Sequence, residues 1–274
     1  MRLTGWTSLI RLIGLGLVVL VCLLPLLWTL LAAFGIEPVG MGWQGEFSLK
    51  YFGEVGTFDP AFSEGFSYSL FVSLIATFIT LGCALPAAYK LAQINRRWIA
   101  GILMPFLLVL AVMPVIGYGL PLSDLSRQTG LYGNFGGLVL AYAGIQLPLA
   151  IWVLRGYLSK IPPALEEAAR LEGATWTTVL WRVVFPLVSG GVVATGLLVF
   201  VLNWNLFLLP SLLTEHSPQV LPIVMRDFFA FERELEWPTA AAALLASLAP
   251  PFILVLVGQN SLDKFSLIPP EVLA

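Results

Sequence analysis

Charge is scarce in this sequence. Only 11% of its 274 residues are Asp, Glu, Lys or Arg, while 58% are hydrophobic, and the mean hydropathy is +0.91. An ordinary soluble domain has about 25% charged and roughly 45–50% apolar residues. A soluble fold of this composition would leave large apolar patches in water. The scarcity of charge therefore excludes an ordinary soluble domain and favours a protein whose solvent is the bilayer.

Residues that carry metal, redox or nucleotide chemistry are also few. The chain has one histidine, His216, which we expect in a solvated loop, and two cysteines, Cys22 and Cys83. Both cysteines lie in apolar runs, where we expect small buried side chains and no disulfide. No lysine is followed by Ser or Thr, which excludes a GxxxxGK[ST] phosphate-binding loop. The sequence thus predicts no catalytic residue, no metal site, no cofactor and no nucleic-acid partner.

Long runs without any charge are what the sequence has instead. A membrane-spanning helix needs about 20 predominantly apolar residues, whereas a β-barrel would show alternating segments of about 10. Nothing alternates here, and six charge-free windows are long enough for a helix. These windows are 12–36, 65–89, 98–123, 128–154, 183–214 and 237–262. We therefore predict an all-α integral membrane protein with six transmembrane helices. The first window is longer than the core of a signal peptide, so we expect it to be retained.

The distribution of basic residues predicts the orientation. With both termini on one side, ten of the Lys and Arg residues fall on that side and four on the other, whereas the acids divide five to eleven. Basic residues accumulate in short cytoplasmic loops. Both termini are therefore expected in the cytoplasm, with outer loops at 35–66, 121–133 and 211–237.

The spans themselves contain no ionisable residue. A self-sufficient secondary carrier or a membrane enzyme is expected to show carboxylates or histidines at membrane depth, or an inverted repeat of its spans. Neither feature is found in this sequence. If the protein moves a solute against a gradient, the energy is expected to come from another subunit that contacts the cytoplasmic surface.

The largest cytoplasmic feature is the loop at 159–186, SKIPPALEEAARLEGATWTTVLWRVVFP. Prolines at 162–163 suit the first turn of a helix, and Glu166 and Arg170 have the spacing and order of a favourable pair. Gly173 stands where a helix ends in a left-handed residue, and Thr175 can cap a second short helix that stops before Pro186. The pattern predicts a helix, a glycine corner and a second helix.

Small residues would leave one face of the first helix nearly flat. These residues are Ala168, Ala169 and Ala174. The flat face would let another protein approach closely. A self-contained helix that packs on its own membrane domain fits the same residues, and physical reasoning alone leaves both alternatives open.

The loop resembles a known signature. Glu167-Ala168-Ala169, three residues, Gly173, nine residues, Val183, one residue and Phe185-Pro186 match the EAA motif of permease subunits of ABC importers. The departures are Val183 for isoleucine, Phe185 for leucine and Glu172 for aspartate. The stretches GLVLAYAGIQLPLAIWVLRGYLSK, VLNWNLFLLPSLLT and VLPIVMRDF resemble the sugar-importer, maltose-type branch. The resemblance covers residues 65–262, whereas the tail SLIPPEVLA departs from it.

The resemblance implies a fold, a function and partners. It implies a type I ABC importer transmembrane fold, with 1–274 as a single permease domain of the bacterial cytoplasmic membrane. The partners would be an ATPase dimer, a second permease subunit that forms a heterodimer with this chain, and an extracytoplasmic solute-binding protein. Coupling to the ATPase would fall on seven residues. These are Glu166, Glu167, Ala168, Ala169, Arg170, Gly173 and Ala174. The cargo would be a carbohydrate, with glycerol phosphate or a polyamine as the alternative.

Few polar side chains are available inside the spans for such a cargo. Asn203, Trp204 and Asn205 offer amides and an indole, and Gln146 precedes a proline within the fourth window. They could hold helices together or contact the solute, and both alternatives stay open. The aromatic outer loop 35–66 likewise fits either packing at the membrane interface or docking of a binding protein.

Overall fold

The computed structural model is almost entirely helical, and it describes residues 5–39, 42–58, 60–94, 97–215, 219–228 and 237–266. One small antiparallel hairpin pairs β1 (Glu37–Val39) with β2 (Gly42–Gln44). The long helices are α1 (Gly5–Ala33), α3 (Pro60–Ala92), α4 (Arg97–Val112), α5 (Val115–Gln128), α6 (Phe135–Leu158), α9 (Phe185–Trp204) and α12 (Trp237–Ser266). The short ones are α2 (Lys50–Phe58), α7 (Pro163–Leu171), α8 (Trp176–Thr178), a π-helical segment (Val179–Val184), α10 (Leu208–Leu213) and α11 (Leu221–Phe228).

Five helical stretches are long and apolar enough to cross a membrane, and a bent pair makes a sixth. The bent pair is the predicted window 98–123, which is broken between Val112 and Val115 with a bend of 84°. Pro114 explains the break, because it disfavours helical geometry at the preceding residue and lacks a donor. Pro86 and Pro148, by contrast, lie inside continuous helices.

The described residues divide into two compact units. The first holds the chain up to Ser63 together with Val224–Ala249. Aromatic contacts organise it: the Trp28 and Trp237 ring centroids are 6.3 Å apart, and Phe34 stacks on Phe47 at 4.7 Å. In the same unit the Thr239 hydroxyl donates to Glu54 Oε2 at 3.3 Å, which ties the start of α12 to α2.

The second unit comprises Glu64–Ile223 and Pro250–Ala274 and contains the larger core. One cluster packs the C-terminal halves of α3 and α6 against the π-helical segment and α9, with Tyr89, Leu154 and Leu180 almost completely buried. Another packs α3 and α6 against α10, around Tyr142 and Leu209. Small residues allow this close approach: a Cβ on Gly191 would clash with the Tyr157 ring.

Large apolar side chains cover much of the outer surface, as expected for helices that face lipid. On α1 the leucine and valine side chains from Leu12 to Leu27 are mostly more than half exposed. Cys22 and Cys83 are free thiols on such exposed faces. The expectation that they are buried is therefore wrong, because a side chain in a membrane helix can be apolar and still lie on the protein surface.

Candidate functional site

The loop between α6 and α9 forms the predicted helix, corner and helix. Pro162 is the N-cap of α7 and Pro163 its first residue, a position where a missing backbone donor costs little. Glu166 lies in the first turn and Arg170 in the last, so both charges suit the helix dipole. Their side chains approach to 3.6 Å, which confirms the predicted pair.

Gly173 makes the corner with a left-handed backbone, φ +87°. The Gly173 N–H donates to the Arg170 carbonyl and the Ala174 N–H to the Ala169 carbonyl, so the last carbonyls of α7 are satisfied. Thr175 then caps α8 by accepting a hydrogen bond from the Thr178 N–H at 3.3 Å. These local signals end α7 and begin α8, as the sequence predicts.

The second helix does not stop before Pro186, and that prediction is wrong. α8 continues through the π-helical segment directly into α9, where Pro186 occupies the first turn. A π-turn is wider than an α-turn, which relieves the clash of a proline ring with the carbonyl four residues earlier. The corner is consequently in continuous helical connection with the span α9.

One face of α7 is exposed. Ala164, Glu167, Ala168 and Leu171 are all exposed, and their i, i+3, i+4, i+7 spacing makes one stripe. Leu171 is 90% exposed, the highest value among the large hydrophobic residues described. The stripe is therefore open to a partner and carries one carboxylate between small and apolar side chains.

The opposite face of α7 is held by its own chain. Ala169 and Ala174 pack against the core cluster of α3, α6 and α9, so the small residues of the motif serve two different surfaces. Glu166 is the polar member of this inner face, with only 17% of its side chain exposed. Packing on the chain's own membrane domain, one of the two alternatives drawn from the sequence, thus applies to the inner face, and the docking of another protein on the outer face stays a prediction.

The last turn of α3 supplies the partners of Glu166. The Tyr89 hydroxyl donates to Glu166 Oε2 at 2.9 Å, and the Gln93 amide donates to the same oxygen at 2.6 Å. Sequence reasoning missed Tyr89 and Gln93. Their i, i+4 spacing on one face of a helix end, just before the basic stretch at 96–97, was the available signal.

A third contact joins the end of α3 to the other side of the corner. The Lys90 ammonium lies over the Trp176 ring, 5.2 Å from its centroid. Since Tyr89 and Gln93 bind α7 while Lys90 contacts the start of α8, one helix end reaches both arms of the corner.

A polar cavity of about 560 Å³ lies beside these contacts. The end of α3, the end of α6 and α7 line it, and Glu167 of the exposed stripe is among the lining residues. Its polar lining residues are Gln93, Ser159, Glu166, Glu167 and Arg170. Glu166 therefore contacts both hydrogen-bond donors of its own chain and an open polar cavity.

The polar residues predicted inside the spans are divided between burial and exposure. Asn203 is 1% exposed on α9, and its amide donates to the Thr77 hydroxyl of α3 at 3.4 Å. Trp204 is buried between Phe200 and Phe66, whose ring centroids lie 5.9 and 5.6 Å away. These contacts favour the helix-packing alternative for both residues.

Asn205 and Gln146 have different surroundings. Asn205 is exposed at the end of α9, where its amide donates to the Val201 carbonyl at 2.7 Å. Gln146 is 8% exposed on α6, two residues before Pro148. The structure thus does not bring the four polar residues together at one described site.

A small charged cluster joins the end of α5 to the segment that follows α10. Arg127 and the Tyr132 hydroxyl both bind Glu215 Oε1, at 2.7 and 2.8 Å. Burial, and then this hydrogen bond, hold the pKa of the Tyr132 phenol above its ordinary value. His216 lies outside the described residues. In the segment 35–66, which is predicted as an outer loop, Phe47 is 68% exposed while Phe62 is buried.

Comparison with known proteins places this geometry. A model of the binding-protein-dependent transport system inner membrane component family matches residues 84–265. A trehalose/maltose transport system permease protein, MalG, of Thermococcus litoralis is 28% identical over 90% of this chain and 91% of its own length. A trehalose transport system permease protein, SugB, of Mycobacterium tuberculosis is 31% identical over 89% of this chain and 90% of its own.

A solved structure is similar in fold. It is the crystal structure of a bacterial ABC transporter involved in the import of the acidic polysaccharide alginate. The TM-score is 0.78 at 20% sequence identity, and the match covers 95% of this chain and 98% of that one. The matched fold has the helical arrangement described above.

Proposed function

We propose, from the premise that this chain belongs to the family of binding-protein-dependent transport system inner membrane components, that it forms half of a carbohydrate-conducting pathway. The chain is a multi-pass permease subunit of an ABC importer of the inner membrane and not an enzyme in its own right. Such a subunit works with an ATPase and a solute-binding protein in general. The docking site of the ATPase, the orientation, the assembly and the cargo of this chain are proposed in turn from its described residues.

The open stripe of α7 carries the proposal that the ATPase docks at this loop. The stripe presents Glu167 between Ala164, Ala168 and Leu171, and nothing described in the second unit covers it. A 90% exposed leucine in a solvated loop costs free energy unless a partner covers it, about 25 cal/mol per Å² of apolar area. An ATPase cleft that receives α7 would bury this side chain and pair the carboxylate.

Orientation and assembly follow from that docking. If α7 meets the ATPase, both termini lie in the cytoplasm, as the count of basic residues predicts. The cluster at Arg127, Tyr132 and Glu215 then faces outward with the loop 35–66. The binding protein would approach there. A second, non-identical permease would complete the pathway. Residues 1–274 of this chain would form a single permease domain.

A carbohydrate is the cargo we favour. The similar permeases described above are trehalose/maltose and trehalose permeases, whereas one from Agrobacterium fabrum, 31% identical over 70% of this chain, is a permease for sulfoquinovosyl glycerol, a sugar derivative that carries a sulfonate. The central turns of the spans hold no fixed charge in the described residues. A neutral, hydroxyl-rich solute suits such a route, because a charged one would lack a partner at low dielectric.

Within the route, we propose that Asn205 contacts the solute and that Gln146 is a second contact. Asn205 is exposed, whereas Asn203 and Trp204 are already engaged in packing α9. Amides exchange hydrogen bonds readily with sugar hydroxyls, and Asn205 can turn from the Val201 carbonyl to do so.

Uptake by the reconstituted importer tests the cargo. The panel contains trehalose, maltose, a glycerol phosphodiester, a polyamine and phosphate, each offered with its cognate binding protein. We expect a neutral sugar to be taken up best, and Asn205→Ala to lower its uptake about tenfold, the loss of one or two hydrogen bonds. Preferred uptake of the polyamine or of phosphate would overturn the carbohydrate assignment. Unchanged uptake in Asn205→Ala would remove that residue from the route.

A further inference from the structure

The contacts of Glu166 differ from those of its neighbour in the motif. Glu167 lies on the open stripe of α7, whereas Glu166 points inward to the last turn of α3. Two donors converge on one of its oxygens, Tyr89 at 2.9 Å and Gln93 at 2.6 Å, and the Arg170 guanidinium forms an ion pair with the same oxygen at 3.6 Å. Hydrogen bonds to an ionised acceptor are roughly twice as strong as neutral ones.

The chain connection makes this convergence consequential. α7 is joined covalently to α6 before it and, through the corner, to α9 after it. The helix α3 is separated from α7 by three further helices in sequence, so only side-chain contacts can make α3 follow α7. Within the described residues the polar ones are those of Glu166 with Tyr89 and Gln93, aided by Lys90 over Trp176.

We infer that Tyr89, Gln93 and Glu166 form a latch that couples movement of α7 to the span α3. The inference rests on the proposed docking of the ATPase at α7 and assigns Glu166 a role distinct from that docking. Glu166 is a positioning residue: it holds the inner face of α7 while the outer face is free for the partner. Coupling requires a physical element with two arrangements that both sites bias, and the latch is that connection for α3.

The local surroundings allow such a latch to hold and to shift. Tyr89 is 1% exposed and packed in the core of α3, α6 and α9, so its hydroxyl is fixed in position. Beside it, the polar cavity of about 560 Å³ leaves room for the Glu166 and Gln93 side chains to move. A fixed donor next to an open polar space lets the carboxylate slide without leaving hydrogen-bonding groups.

Hydrogen exchange in the purified permease, held in lipid nanodiscs, tests whether the latch holds α7. We expect Tyr89→Phe and Glu166→Ala to speed exchange of the α7 amides at 167–174 by about three- to tenfold, the effect of one to two hydrogen bonds. Glu166→Gln keeps an acceptor oxygen and should fall between Glu166→Ala and the parent. The matched control is Tyr142→Phe, which removes a buried hydroxyl that donates to the Leu206 carbonyl at 3.4 Å. It should leave α7 unchanged. Equal exchange in Glu166→Ala and the parent protein would overturn the latch.

Hydrogen exchange in the assembled importer tests transmission. Adding ATP with vanadate should change exchange in α7 and in residues 86–94 together in the parent protein, but only in α7 in Glu166→Ala. Response of 86–94 in both proteins, or in neither, would overturn the inference. Failure of the ATPase to co-purify with the parent protein would instead contradict the proposed function, and the nanodisc experiment would still decide the latch.

Discussion

Polar side chains are arranged in opposite ways on α7 and on α3. On α3, Ser69, Thr77 and Thr80 are neutral, buried and bonded within the chain. On α7, charged residues are concentrated, and one whole face has no cover among the described residues of its unit. Polar groups in the spans must be satisfied internally because lipid offers no hydrogen bonds. Charge is placed where water, and then a partner, can reach it.

The comparison shows where function can be read from this chain. A buried neutral pair such as Asn203 and Thr77 explains how spans stay together, but it does not identify a cargo. The open stripe with Leu171 is not covered by the described residues of its unit, which favours a partner there. For this permease, the loop therefore provides more evidence about coupling than the spans provide about the cargo.

The largest expected effect comes from breaking the corner that presents the stripe. A side chain at Gly173 would meet no atom within 4 Å, so its cost is the left-handed backbone alone. For a β-branched residue this costs about 1–2 kcal/mol, whereas Asn adopts the conformation readily. Gly173→Val should lower solute uptake and recovery of the ATPase with the permease more than tenfold. Gly173→Asn is the matched control and should stay within about threefold. Equal loss in both variants would show that crowding, not backbone conformation, is what matters there.

A smaller effect is expected inside the spans. Asn203→Leu removes the 3.4 Å bond to Thr77 but also removes a carbonyl oxygen that is buried without a hydrogen bond. Hydrogen bonds between membrane helices contribute about 0.6 kcal/mol on average. The free energy of unfolding in detergent should therefore change by less than ~1 kcal/mol, and uptake should persist. Lost uptake with unchanged stability would mean that Asn203 contacts the solute.

Much of the fold was predictable from the sequence because membrane helices are set by long charge-free runs. The six windows correspond to five spans and a bent pair, and the corner at Gly173 followed from local capping signals. The break at Pro114 and the continuous helix through Pro186 were not distinguishable by sequence, since proline can end, kink or merely widen a helix. The outcome depends on whether neighbouring turns can relax into π geometry.

The candidate site was predictable only on its outer face. The motif names Glu167 and Gly173 by local spacing, and both lie where local rules place them. The partners of Glu166 come from α3, 77 and 73 residues away in sequence, and no local rule connects them. Exposure of Cys22 and Cys83 was likewise missed, because hydropathy cannot tell a lipid-facing side chain from a buried one.

Cross-linking from position 171 tests the central claim most directly. In a Cys22→Ser, Cys83→Ser background, Leu171→Cys in the assembled importer should give an adduct of permease and ATPase subunit with a short maleimide–benzophenone photo-crosslinker, which needs no thiol on the ATPase. Leu131→Cys, an exposed leucine in the loop expected outside, is the matched control and should give none. The account predicts the adduct at 171 and a change in its yield when ATP and vanadate are added. An adduct at 131 and none at 171 would contradict both the docking of the ATPase on α7 and the orientation of the chain.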